Sequence, residues 1–167
     1  LMSKGEFASY GVTEAAAGSN VVGIQTRAMR KNGSYMINGS KTFITNASHA
    51  SFFCVFAKTD PDAGHRGMSC FVIERDMPGV SVGKKFDKLG QRASDTAEIV
   101  FENVEVPAEN MIGQEGHGFY LAMRVFDYSR PGVAAAACGL QRRALEECVK
   151  YAKEREAFGA PIYQHQA

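Results

Sequence analysis

The sequence predicts an α+β protein: an antiparallel β-barrel or sandwich domain followed by the first helices of an all-α bundle. Two observations carry this. As far as Pro107, short runs of β-branched and aromatic residues alternate with clusters of Gly, Pro, Asn and Asp. Beyond it the apolar residues move to helical spacing, with Arg, Glu and Lys on the opposite face. The boundary falls near residue 110, so a β-domain over 1–110 precedes the start of a helical domain over 111–167.

Seven runs read as strands, in order "FASYGVTE", "IQTRAMRK", "SYMINGSKTFIT", "SFFCVFAK", "MSCFVIER", "GVSVGKKF" and "TAEIVFENVEV". "KNGS" at 31–34 carries the Asn-Gly pair that supplies the positive φ angles of a tight hairpin, and "INGS" at 37–40 repeats the signal. The Asn-x-Ser triplets at Asn32, Asn38 and Asn46 read as turns and not as glycosylation sites, for no secretory signal precedes them. In the helical part Pro131 sets a break, because proline suits a first helical turn and not an interior. With Asp127 or Ser129 placed to cap, a short helix near 118–127 and a long one over 130–155 are expected. Leu140, Ala144, Leu145, Cys148, Val149 and Ala152 give the long helix one apolar stripe, which needs neighbours. A chain that opens on "LMSKGEFASY" and closes on "YQHQA" reads as a fragment of something larger.

Composition narrows the partners. The 167 residues are 45% apolar and 22% charged with a formal charge of +1, enough for a sizeable core and far from the basic stripe that nucleic acid or an anionic membrane selects. No apolar run approaches the roughly 20 residues that span a bilayer. Cys54, Cys70, Cys138 and Cys148 form no C-x-x-C pair and stand near no His at metal-ligand spacing. They read as free, mostly buried thiols in a reducing compartment, with no metal site.

Several blocks then carry a resemblance. "YGVTEAAAGSN", "NGSKTFITNAS", "KLGQRASDT", "FDYSRPG" and "EREAFGAPIYQHQA" are similar, in this order and at this spacing, to blocks of the acyl-CoA dehydrogenase family. The similarity spans the whole chain and implies the family's middle β-domain and the start of its C-terminal helical domain.

The resemblance implies FAD as cofactor and assigns roles. Phe43 would pack on the flavin ring and Thr45 would hydrogen-bond beside its N5, with Ile44 between them. Such pairing suits a flat, apolar ring with a polar edge. The same residues, taken alone, also fit an ordinary strand. Tyr10, Val12 and Thr13 would serve the ring's pyrimidine edge, and Ser19 the acyl-CoA side of a turn whose exposed amides suit anions. Ala15 and Ala16 replace the family's usual Pro and Gly there, and Asn20 its usual Asp, which alters the turn's preferred backbone. Asp127, Tyr128 and Arg130 would face the thioester and its pantetheine arm, although a cap and a salt bridge look the same in sequence. Arg155, Phe158, His165 and Gln166 would reach the cofactor of a neighbouring subunit in a homo-oligomer.

The implied activity is α,β-dehydrogenation of an acyl-CoA thioester in fatty acid metabolism. A carboxylate takes the α-proton, hydride goes to the flavin, and electrons pass to an electron transfer flavoprotein. No G-x-G-x-x-G nicotinamide fingerprint is present. The glutamate base of most members is expected beyond residue 167, and Ser129, which stands where some branches place it, is no base at neutral pH. The fragment alone is therefore expected to be inactive. The implied setting is the cytoplasm, or the mitochondrial matrix in a eukaryote. A flavin oxidase or monooxygenase on the same scaffold, or a non-catalytic remnant, are the alternatives.

Overall fold

The computed structural model describes residues 5–165. The chain forms two compact units, Leu1–Met123 and Arg124–Ala167.

All seven expected strands form in the first unit: β1 Ala8–Gly11, β2 Arg27–Lys31, β3 Ser34–Thr45, β4 Phe52–Lys58, β5 Met68–Glu74, β6 Val80–Lys85 and β7 Thr96–Pro107. They make one sheet in the order β1-β4-β2-β3-β7-β6, with β5 also on β4. Pairing is antiparallel where strands follow one another as hairpins or meanders, as in β2–β3, β4–β5 and β6–β7, and at β3–β7. It is parallel at β1–β4 and at the single Arg27↔Lys58 pair of β2–β4. The expected antiparallel β-domain thus forms, with parallel pairs where β1 and β2 meet β4 through crossover connections that periodicity cannot reveal.

The core lies on one face of this sheet. Tyr35, Ile37 and Ile44 of β3, Phe53 and Val55 of β4, Phe71 and Ile73 of β5, and Ile99, Phe101, Val104 and Val106 of β7 are all buried. Each large side chain so buried contributes about 1.5–3 kcal/mol.

The two Asn-Gly pairs behave differently. Asn32 and Gly33, at φ 47° and 83°, form the expected two-residue turn, with Lys31 opposite Ser34. Asn38 and Gly39 do not turn the chain: they lie inside β3 at a bulge against β7, where Asn38 Oδ1 accepts the Asn103 N–H at 2.8 Å. Gly39 (φ 147°) is needed because a Cβ there would sit 2.7 Å from Thr26 Cα.

Residues 118–154 form one continuous helix, α1 Gly118–Glu154, with Pro131 inside it. The expected break at Pro131 is absent, and Asp127 and Ser129 are interior residues, not caps. Proline removes a single N–H, that facing the Asp127 carbonyl, and the Ala-, Leu-, Arg- and Glu-rich sequence after it favours helix strongly enough to continue. Ser129 Oγ donates instead to the Phe126 carbonyl at 3.3 Å. At the other end, Gly118 is buried with room for no side chain, since a Cβ would lie 2.8 Å from the Ser69 backbone. Gly116 N–H donates to Ser69 Oγ at 2.9 Å beside it.

After α1 comes a hairpin that the sequence reading did not foresee: β8 Glu156–Ala157 and β9 Ala160–Pro161, turned by Phe158 and Gly159 at φ 53° and 82°. Of the four thiols only Cys70 is buried; Cys54 is half-buried, and Cys138 and Cys148 are exposed on α1. The expectation of mostly buried cysteines is thus corrected for the helical pair. No helix among the described residues is long and apolar enough to cross a membrane.

Candidate functional site

β3 loses register with β7 between Lys41 and Ile44, and this bulge sets the site. Ile44 points into the core, while Phe43 and Thr45 on either side of it are exposed. Phe43 is 62% exposed and holds φ 56°, a left-handed conformation that costs an aromatic residue about 1–2 kcal/mol. Its ring leans on Phe86, with centroids 4.8 Å apart. The bulge thus holds an apolar ring in solvent, in a strained conformation, beside a threonine hydroxyl.

The first block is joined to this bulge. Thr42 N–H donates to the Thr13 carbonyl at 2.9 Å, and Ser9 Oγ donates to the Thr45 carbonyl at 2.8 Å. Sequence reading placed Tyr10, Val12 and Thr13 with Phe43, Ile44 and Thr45 in one site, and the fold brings these segments together. Their side chains divide. Thr13 is half-buried, Val12 is buried, and the Tyr10 ring packs edge-on against Phe56 at 5.2 Å. Burial, with Cys70 and Cys54 nearby, pushes the Tyr10 phenol well above its ordinary value. Tyr10 therefore has its backbone, and not its ring, to offer a ligand.

Beneath these segments lies a charged pair that sequence reading missed. Lys41 is fully buried, and its Nζ donates to Glu14 Oε1 at 2.7 Å and to the Val12 carbonyl at 3.1 Å. Glu14 also accepts from the Thr26 N–H at 3.0 Å, the Thr26 hydroxyl at 2.6 Å and the Gln25 N–H. Burial raises the Glu14 carboxyl, but the charge and hydrogen bond of Lys41, with those of Thr26 and Gln25, outweigh it and hold the group below its ordinary value. Burial pulls the Lys41 ammonium down to about 8, with Glu14 opposing the shift. The signal was present in sequence, as a lysine within an apolar strand and a glutamate closing "YGVTE", yet nothing in sequence pairs residues 27 apart.

The turn after Glu14 is closed by its own backbone. Glu14 and Ala17 exchange backbone hydrogen bonds at 3.0 Å across Ala15 and Ala16, neither of which needs a positive φ. Ser19 follows, exposed, its carbonyl accepting the Val21 N–H at 3.0 Å.

In the second unit Asp127, Tyr128 and Arg130 are exposed on α1. Arg130 lies 3.9 Å from Asp127 and 5.2 Å above the Phe126 ring. Arg155 follows the last helical residue, its N–H on the Tyr151 carbonyl and its own carbonyl accepting from Ile162, both at 2.8 Å. Phe158 is wholly exposed at the hairpin tip, 6.2 Å from the His165 ring. His165 Nε2 lies 2.9 Å from the Ala157 carbonyl. Ala157, Phe158, Ile162, Gln164 and His165 line a surface cleft of about 620 Å³, which brings two of the four residues expected at this end into one place. Gln166 lies outside the described residues.

Comparison with known proteins decides the family. Residues 9–104 match the acyl-CoA dehydrogenase middle domain, and residues 116–167 the acyl-CoA dehydrogenase C-terminal domain. The chain belongs to the acyl-CoA dehydrogenase family. It is 45% identical over 166 residues to an acyl-CoA dehydrogenase of Bacillus subtilis, which covers 99% of this chain and 44% of that protein. Its fold matches butyryl-CoA dehydrogenase of Megasphaera elsdenii with a TM-score of 0.90 at 45% identity, over 97% of this chain and 43% of that one. The prolyl acyl carrier protein oxidase AnaB is similar at 36% identity and a TM-score of 0.92, over 98% and 43%. This acyl-CoA dehydrogenase chain thus spans less than half the length of the relatives it matches.

Proposed function

We propose that these residues form the flavin- and acyl-CoA-holding part of an enzyme that removes hydrogen from the α and β carbons of an acyl-CoA thioester, with FAD as cofactor. The observation that carries the reading is Phe43: an exposed ring at φ 56°, beside Thr45 and tied through Thr42 to Thr13. Strain of this kind gathers where a ligand is met. The set fits a flavin. The Phe43 face takes a flat apolar ring, and the Thr45 and Thr13 hydroxyls and the backbone of Tyr10 to Thr13 serve its polar edge.

When bound, FAD supplies the acceptor for the substrate's β-hydride. The chain's own part is to bind, orient and exclude water. Phe43, with Phe86 against its ring, is proposed to cover one side of the bound flavin. Ser19, Asp127, Tyr128 and Arg130 are proposed to receive the acyl-CoA. Arg155, Phe158, His165 and Gln166 are proposed to reach the cofactor of a second copy, Arg155 through its planar donor fork. Removing the α-proton needs a carboxylate base, proposed to lie outside these 167 residues; Ser129, whose hydroxyl donates a hydrogen bond to the Phe126 carbonyl, is no base at neutral pH. An electron transfer flavoprotein is the proposed electron acceptor.

The test is acyl-CoA-dependent reduction of a dye acceptor with FAD supplied. A longer form that includes the base should turn over, and Thr45→Val should lower its rate. The 167-residue chain should stay at background, since lack of a general base costs about 10² to 10⁴-fold. Turnover by the 167-residue chain would contradict the placement of the base. The likeness to an acyl carrier protein oxidase supports a second reading, in which oxygen is the acceptor. Oxygen uptake without added dye would favour it.

A further inference from the structure

We propose that the buried Glu14–Lys41 pair is a positioning device for the cofactor, holding the Val12–Thr13 backbone and the Phe43 bulge in one fixed relation so that both meet the same flat ligand. This rests on the flavin reading and deepens it.

The geometry is specific. Lys41 stands two residues before Phe43, and the carbonyl it holds, Val12, directly precedes Thr13. Glu14, on the far side of Thr13, takes the same ammonium and is itself fixed by Thr26 and Gln25. One cation therefore grips the first block on both sides of Thr13, from the strand that carries Phe43. Cys70, the other titratable group facing the ammonium, has its thiol pushed up to about 12 by burial and the Cys54 thiol, so it offers no competing charge. Sheet formation alone does not require this arrangement. A buried ion pair is commonly replaced by apolar residues at no cost in stability, whereas an apolar pair leaves the Val12 carbonyl without its donor.

The test compares the wild-type chain with Glu14→Gln/Lys41→Met, which removes both charges while nearly keeping volume, using FAD as the probe. Melting temperature, FAD affinity from amide shifts and the absorption spectrum of bound FAD are measured on each. The double variant should stay folded with at most a modest loss of melting temperature, from the unpaired Val12 carbonyl, bind FAD at least about tenfold more weakly, and return the bound spectrum toward that of free FAD. Unchanged affinity and spectrum overturn the inference. Parallel loss of melting temperature and affinity, with the spectrum of the remaining bound FAD unchanged, assigns the pair to folding alone and also overturns it. If the double variant does not fold, Glu14→Gln alone decides by the same spectral criterion, because the amide keeps contacts to Thr26 and Lys41 without the charge. A wild-type chain with no FAD-dependent shift overturns the flavin reading and this inference together; wild-type binding with an unaltered variant overturns this inference only.

Discussion

At the scale of single residues, glycines with positive φ separate cleanly by what surrounds them. Gly39→Ala forces a Cβ to 2.5 Å from Thr26 Oγ1 at φ 147°, so strain and overpacking add, and thermal unfolding should show a loss of about 3 kcal/mol or more. Gly33→Ala meets nothing within 4 Å and should cost about 1 kcal/mol, from its φ of 83° alone. Equal losses at the two positions would contradict the close approach of Thr26 to Gly39. Glu14 supplies a second prediction, on pH. Its folded pKa lies below the unfolded value of 4.5, so the stability it contributes is fully present above that value and is lost as pH falls through the folded one. Glu14→Gln should flatten the acid side of a stability–pH curve, and an identical acid limb in both proteins would contradict the pairing.

At the scale of elements, the helix across Pro131 is the feature most open to test. Its proline leaves the Asp127 carbonyl without the usual N–H, at a cost of up to roughly 3 kcal/mol to the local helix. Pro131→Ala should therefore slow amide hydrogen exchange in the turns around residues 127–135. Unaltered exchange would favour two helices meeting there. The strands were legible because β-branched runs and turn residues are local signals, and all seven appear where periodicity put them. The partners of β4, the bulge that swallowed the second Asn-Gly, and the continuous helix were not, since each depends on contacts distant in sequence or on the sum of many weak helix preferences. The hairpin at Phe158 was hidden for a related reason. Its turn places a phenylalanine at a φ usually given to Asn or Gly.

For the whole molecule, α1 carries Val133, Leu140, Leu145, Val149 and Tyr151 exposed. Large apolar side chains exposed in this number favour association, in keeping with the proposed homo-oligomer. Sedimentation should show association that grows with concentration and weakens in Leu140→Glu/Leu145→Glu; a strict monomer at high concentration would contradict it. The site was partly legible at this scale too. The blocks around Thr13 and Phe43 were matched as separate stretches, and the fold joins them; the ion pair beneath them emerges only in three dimensions.

The Phe43 bulge and the Thr13 segment are proposed to form one flavin-binding surface. A protein-observed NMR titration of the 167-residue chain with FAD tests it most directly. The amides of Thr13, Phe43 and Thr45 should shift together along one binding curve, and weakly, since a dinucleotide shared with a second subunit gives one chain only part of its contact surface. Amides at those three positions that stay in place while FAD is raised to saturating concentration, or that respond only around Phe158 and His165, would contradict it.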